Sequence, residues 1–163
     1  LGVGKSVIQE LLGLKDHLAI QDMTDTTNFG RIQSPEVYFG SERNTLLGNG
    51  TVHKEAFFEP FETPETLELN KLYLNGEWMF GTEFAQNRGE AAVLFPYSAK
   101  NVYMVASAPE PTEVEVWLDG KLSKTLTISG EKLYTLVQGE AYGSKTLELR
   151  MKNSVKLFTL SFG

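Results

Sequence analysis

The sequence predicts an all-β chain, a two-sheet antiparallel jelly-roll sandwich with a short N-terminal helix, and three observations lead there. From residue 66 onward, short apolar or alternating segments recur at intervals of about ten residues with turn residues between them, the spacing of a sandwich or barrel. Several of these segments carry one apolar and one polar face at a period of two. Asn75-Gly76 and Asp119-Gly120 each lie between two strand-like segments, and both pairs suit the positive φ angles of a two-residue type I′ hairpin.

The first element is an amphipathic helix over residues 3–14, where Val3, Val7, Ile8, Leu11 and Leu12 recur at helical spacing opposite Lys5, Gln9 and Glu10. Gly13 can end it, and residues 16–28, rich in Asp and Thr, form a polar connector. Residues 32–64 are punctuated by Pro35, Gly40, Gly48, Gly50, Pro60 and Pro64, which predicts a long wrapped connection holding short extended pieces such as 36–39. The predicted strands then run 67–74, 78–80, 91–97, 101–106, 113–118, 121–128, 133–137, 146–151 and 156–162.

Alternation assigns the faces of these strands. Val114, Val116 and Leu118 point one way and Glu113, Glu115 and Trp117 the other, while Leu147, Leu149 and Met151 oppose Thr146, Glu148 and Arg150. In 156–162 the apolar set Phe158, Leu160 and Phe162 shares its parity with Lys156, which predicts a bend near Leu157. Eight or nine strands with one buried face each call for two sheets packed face to face, and the jelly roll is the common arrangement of that number.

Composition narrows the function classes. A chain of 163 residues holds one ordinary domain and a tail, and 41% apolar with 22% charged residues is a globular balance. The longest apolar runs are far short of the roughly 20 residues of a membrane helix, so no membrane insertion is expected of this segment. With a net charge of −6 and scattered cations, nucleic acid is a poor partner. The chain has no cysteine, so this segment holds neither disulfides nor a CxxC redox centre. Its start at Leu1, without an initiator Met or a signal-like leader, reads as that of a trimmed fragment.

No catalytic, metal or cofactor set emerges. His17 and His53 lie apart and without further ligands at metal spacing. Gly4-Lys5-Ser6 ends like a phosphate loop, but the first glycine of the Gly-x4-Gly-Lys-Ser/Thr pattern is missing. The carboxylate pairs Glu113/Glu115 and Glu59/Glu62 read as solvated faces of an acidic surface. Binding is the better-supported chemistry, since sugars are held by aromatic rings against their C–H faces and by polar groups on their hydroxyls. The candidate ligand-binding residues are Trp117 and Glu115 on one wet face, Trp78 beside Glu77, and Tyr103 sharing a face with Asn101 and Ser107. The competing reading is that these rings cover sheet edges or plug the ends of the sandwich.

The segment Ser34-Pro35-Glu36-Val37-Tyr38-Phe39-Gly40 resembles the Thr-Pro-Glu-x-Tyr-x-Gly motif that follows the thioredoxin-like domain in DipZ-type thiol-disulfide and cytochrome c biogenesis proteins, with Ser34 in place of Thr. The likeness continues through Leu74-Asn75-Gly76-Glu77-Trp78, Gly81-Thr82-Glu83-Phe84-Ala85, Val116-Trp117-Leu118-Asp119-Gly120 and the closing Leu157 to Gly163. The resemblance implies a C-terminal jelly-roll domain, similar to carbohydrate-binding modules, behind an extracytoplasmic thioredoxin fold in the periplasm or cell envelope. It implies that residues 1–31 are the last helix of that upstream domain plus a linker, and that 32–163 are the sandwich. The implied partners are the upstream thioredoxin-like domain and a glycan or envelope protein, with no cofactor in this segment. The alternative role is a structural or protein-docking domain that orients the redox domain toward its substrates.

Overall fold

A computed structural model describes residues 33–163. The helix predicted over 3–14, its connector, His17 and the boundary at 31/32 lie outside the described residues.

All regular structure among the described residues is extended. The strands are β1 (Val37–Tyr38), β2 (Glu59–Phe61), β3 (Tyr73–Phe80), β4 (Ala85–Ser107), β5 (Thr112–Leu118), β6 (Lys121–Ile128), β7 (Lys132–Met151) and β8 (Lys156–Phe162). Every pairing between them is antiparallel, in the order β1-β8-β4-β7-β5-β6, with β3 also on β4 and β2 on β3.

The two long strands build the sandwich. The first half of β4 lies between β3 and the second half of β7, whereas its second half lies between β8 and the first half of β7. Each half therefore belongs to a different face of the fold. The turn from one half to the other shows as register shifts between Ala99 and Asn101 and between Val102 and Tyr103. Gly139 of β7 passes so close to this corner that a Cβ there would stand 2.5 Å from the Lys100 carbonyl oxygen. The segments 91–97 and 101–106, predicted as separate strands, are thus one bent strand, and 133–137 is continuous with 146–151 in the same way.

Between the halves lies one core. Phe95 and Tyr97 from the first half of β4 stack on Phe162 of β8, with ring centroids 5.3 and 5.6 Å apart. Val114, Val116, Leu147 and Leu149 are fully buried, as alternation predicts. On β8 the predicted bend is a bulge: Val105 pairs with Thr159 and Ala106 with Leu157, so Phe158 is the extra residue. That insertion reverses the parity of the strand. Leu157, Leu160 and Phe162 enter the main core, and Phe158 turns outward to a satellite cluster with Val105, Phe84 and Tyr103.

The two expected hairpins part ways. Asp119 (φ 50°) and Gly120 (φ 80°) form the β5–β6 turn, and Asp119 ties it to β7 by accepting the Thr146 N–H on Oδ1. Asn75-Gly76 makes no turn, because β3 runs straight through it. Gly76 (φ 95°) sits in a bulge where a Cβ would meet the Glu90 carbonyl at 2.7 Å. The positive φ there serves a close approach between paired strands, and strand pairing with β2 and β4 on both sides keeps the chain extended. The segment predicted as a strand over 67–74 is extended only from Tyr73.

The wrapped connection closes one edge through the Ser34–Gly40 motif. Ser34 exchanges hydrogen bonds with the backbone of Ser98, and its hydroxyl donates to Asn70. The Glu36 carboxylate accepts from the hydroxyls of Ser161 and Tyr38. These contacts fix β1 beside β8, a packing role for each polar residue of the motif.

Candidate functional site

The solvent face of β3, β4, β7 and β5 carries an open polar groove of about 830 Å³. Strand register explains its lining. Asn75 stands opposite Ala92, Ala92 opposite Arg150, and Arg150 opposite Glu115, so these four side chains cross the sheet in one row. Ala92 is the smallest of them and leaves the dip in the middle. Glu90, Glu113, Lys152 and Asn153 close one end, and Glu148 stands beside Arg150.

One flank is a connected cluster. Arg150 Nε donates to Glu148 Oε2 at 2.5 Å, and the guanidinium carbon lies 3.7 Å from the centroid of the Trp117 ring. Trp117 Nε1 in turn donates to Glu115 Oε1 at 3.0 Å. The cluster follows from two neighbouring cross-strand pairs, Glu115 with Arg150 and Trp117 with Glu148. The hydrogen bond that Arg150 donates to Glu148, aided by the Glu148 and Glu115 charges, raises the Arg150 pKa above its ordinary value despite an opposing desolvation effect.

A second polar device holds the end of the groove. Asn87 is fully buried, donates from Nδ2 to the Gly89 and Asn153 carbonyls, and accepts the Val155 N–H on Oδ1. It therefore anchors the turn that presents Lys152 and Asn153.

The sequence candidates are distributed unevenly over this geometry. Trp117 and Glu115 are brought together and half-buried, with Glu115 lining the groove and Trp117 on its flank. Trp78 is a core residue, 0% exposed, with its indole N–H donated to the Asn75 carbonyl. Its parity on β3 points it inward, opposite to Glu77, so its ring has no free face for a ligand. Tyr103 is half-buried on the other half of the sandwich, where it pairs with Ser161 and Thr135 and packs on the Val105/Phe158 cluster. The three aromatic residues do not share a face.

Alternation places Glu148 and Arg150 on a wet face, but their join to Trp117 requires knowing that β7 lies beside β5 in this register. His53 bonds to Glu59 at 2.7 Å and stacks at 6.0 Å on Phe57, in the loop before β2. Among the described residues, no group of three or more His, Cys, Asp or Glu side chains is arranged to hold a metal ion. Among the described residues no helix is long and apolar enough to cross a membrane.

Comparison with known proteins places the chain. A family model described as the thioredoxin-like C-terminal domain matches residues 34–163. Protein DipZ of Mycobacterium bovis and Protein DipZ of Mycobacterium tuberculosis are each 33% identical over 132 residues, 80% of this chain and 18% of theirs. The chain thus spans less than a fifth of the length of the curated relatives it matches. Among solved structures, a family two carbohydrate esterase from Clostridium thermocellum in complex with cellohexaose superposes with a TM-score of 0.53 at 16% identity, over 56% of this chain and 31% of that one. The family two carbohydrate esterase from Cellvibrio japonicus gives 0.51 at 9% identity, over 55% and 29%. At these identities the likeness is one of fold.

Proposed function

This chain belongs to the thioredoxin-like C-terminal domain family, and from that premise we propose that it is the non-catalytic accessory domain of an extracytoplasmic thioredoxin-like thiol-disulfide protein, with a glycan-binding groove. In this reading residues 1–31 are the end of the upstream thioredoxin-like domain and its linker, and the sandwich begins at 32. The redox chemistry belongs to that upstream partner, since no cysteine occurs in these 163 residues.

The observation that carries the glycan reading is the groove itself. Its lining of amide, carboxylate and guanidinium groups, with an aromatic ring on one flank, offers both donors and acceptors to a hydroxyl-rich ligand, and its open form admits a chain. A glycan array followed by affinity electrophoresis tests it. Retardation by at least one polysaccharide is expected, weakened by Glu115→Ala and unaffected by Tyr103→Ala on the other half of the sandwich. No retention on any glycan, by a protein shown to be folded, would rule the reading out.

One observation favours a second role as a docking domain. The half-buried rings of Phe84 and Tyr103 cluster around Phe158 on the outer side of the smaller half, with Lys156 Nζ 4.7 Å from the Phe84 centroid. Redox turnover of the intact protein on protein substrates, with and without this domain, separates the two roles.

A further inference from the structure

We infer that Arg150 is the specificity-determining residue of the groove and that it selects an uncharged, hydroxyl-rich chain over an acidic one, an inference that rests on the glycan reading above. Three features of the structure carry it.

The first is what Arg150 does to Trp117. With the guanidinium carbon 3.7 Å from the ring centroid, one face of the indole is already covered. A sugar cannot stack on that face while the arginine lies there, and Trp117 stands outside the lining of the groove, so recognition in the groove falls to hydrogen bonds. This differs from the expectation that an open tryptophan face receives the ligand.

The second is the geometry of the donor. Arg150 is held at two points, by Glu148 at Nε and by the Trp117 ring, so its planar fork is fixed before any ligand arrives. Among the described residues its Nη groups donate no hydrogen bond, and the side chain is 45% exposed. Two parallel N–H donors match a pair of adjacent oxygens, which are either the two oxygens of a carboxylate or two neighbouring hydroxyls.

The third is the charge around the fork, and it decides between those two. Glu90, Glu113, Glu115 and Glu148 line the groove against Arg150 and Lys152 alone, a formal excess of two negative charges. A carboxylate brought to Arg150 arrives beside Glu148 and across from Glu115, and like charges so placed repel. Hydroxyls avoid that repulsion and use the carboxylates as well, accepting from Arg150 while donating to Glu115. The row from Asn75 to Glu115 spans three strand spacings, about 14 Å, so the ligand that uses all of it is a chain lying across the strands.

The test is affinity electrophoresis and calorimetry on the folded chain with uncharged polysaccharides (hydroxyethylcellulose, xylan, mannan) and acidic ones (polygalacturonate, alginate), at low salt and at high salt. Binding is expected for at least one uncharged polymer and not for the acidic ones, and it should change less than about twofold with salt because no ion pair is formed. Arg150→Gln and Arg150→Lys should both weaken it at least about tenfold, the lysine because a point charge lacks the fork. Both substitutions are on the surface, and near-ultraviolet circular dichroism checks that the fold is kept. Equal or tighter binding of an acidic polymer, a steep loss of binding with salt, or full affinity in Arg150→Lys would overturn this inference and leave the glycan reading standing. Failure to bind any polymer, or anything on a glycan array, would overturn both.

Discussion

Arg150 lies over the ring of Trp117, its guanidinium carbon 3.7 Å from the ring centroid, while its Nε is held by Glu148. The pair joins β7 to β5 on the solvent face, and solvent limits what it contributes to stability. An exposed cation–π contact is worth about 0.5–1 kcal/mol, and an exposed ion pair adds at most about as much. Arg150→Ala is therefore expected to lower stability by about 1 kcal/mol or less. Its spectroscopic effect should be larger. The chain has two tryptophans, and only Trp117 loses a neighbour, so acrylamide quenching should rise for one emission component. Unchanged quenching would show that the stacking is not kept in solution.

The two tryptophans should differ sharply on truncation. Trp78 is fully buried, and removing a large core ring costs about 3–5 kcal/mol. Trp117 is half-buried at the rim, and its truncation to Ala should cost less than about 2 kcal/mol, from partial apolar exposure and the lost cation–π contact. Urea unfolding of Trp78→Ala and Trp117→Ala compares them directly, and equal losses would contradict the burial difference.

Asn87 is a buried polar residue whose amide meets three backbone groups. Asn87→Ala leaves those groups without partners, at about 1–3 kcal/mol for each one that water cannot reach. It should also loosen the turn at Asn153 and so widen the groove. Hydrogen exchange at the Val155 amide is the measurement, with faster exchange expected in the variant. Wild-type protection in Asn87→Ala would mean that the turn is held by other contacts.

Tyr97 gives the fold a sensitivity to alkali. Burial, with a smaller contribution from the Asp119 charge, pushes its pKa up from 10.0 to about 12. The neutral phenol is the form the core accepts. Below pH 10 both folded and unfolded chains hold the proton and the group is without effect. Between pH 10 and about 12 the unfolded chain releases it and the folded chain does not, so stability falls as pH rises. The urea midpoint should drop across that window, and Tyr97→Phe should flatten the drop. A variant with the same alkaline slope as the wild type would assign it to other groups.

Two kinds of information met in this fold, and they differ in range. Alternation along one strand is local, which is why the buried faces of 113–118 and 146–151 and the Asp119-Gly120 hairpin could be read from residues alone. The Ser34–Gly40 motif could be recognised in the same way, although its role in pinning β1 to β8 through Glu36 and Ser161 depends on contacts across more than a hundred residues.

The sequence by itself thus determined the all-β class, the inward sets on the regular strands and the acidic, cysteine-free character of the chain. Tertiary structure decided the rest. Asn75-Gly76 has the composition of a turn, yet pairing on both sides of β3 converts its positive φ into a bulge and sends Trp78 inward. The groove is likewise a product of register, because Asn75, Ala92, Arg150 and Glu115 come from four strands and meet only where long-range hydrogen bonding aligns them. A period of two tells each residue which face it occupies, but the neighbour it meets there is set by pairing between strands far apart in the chain.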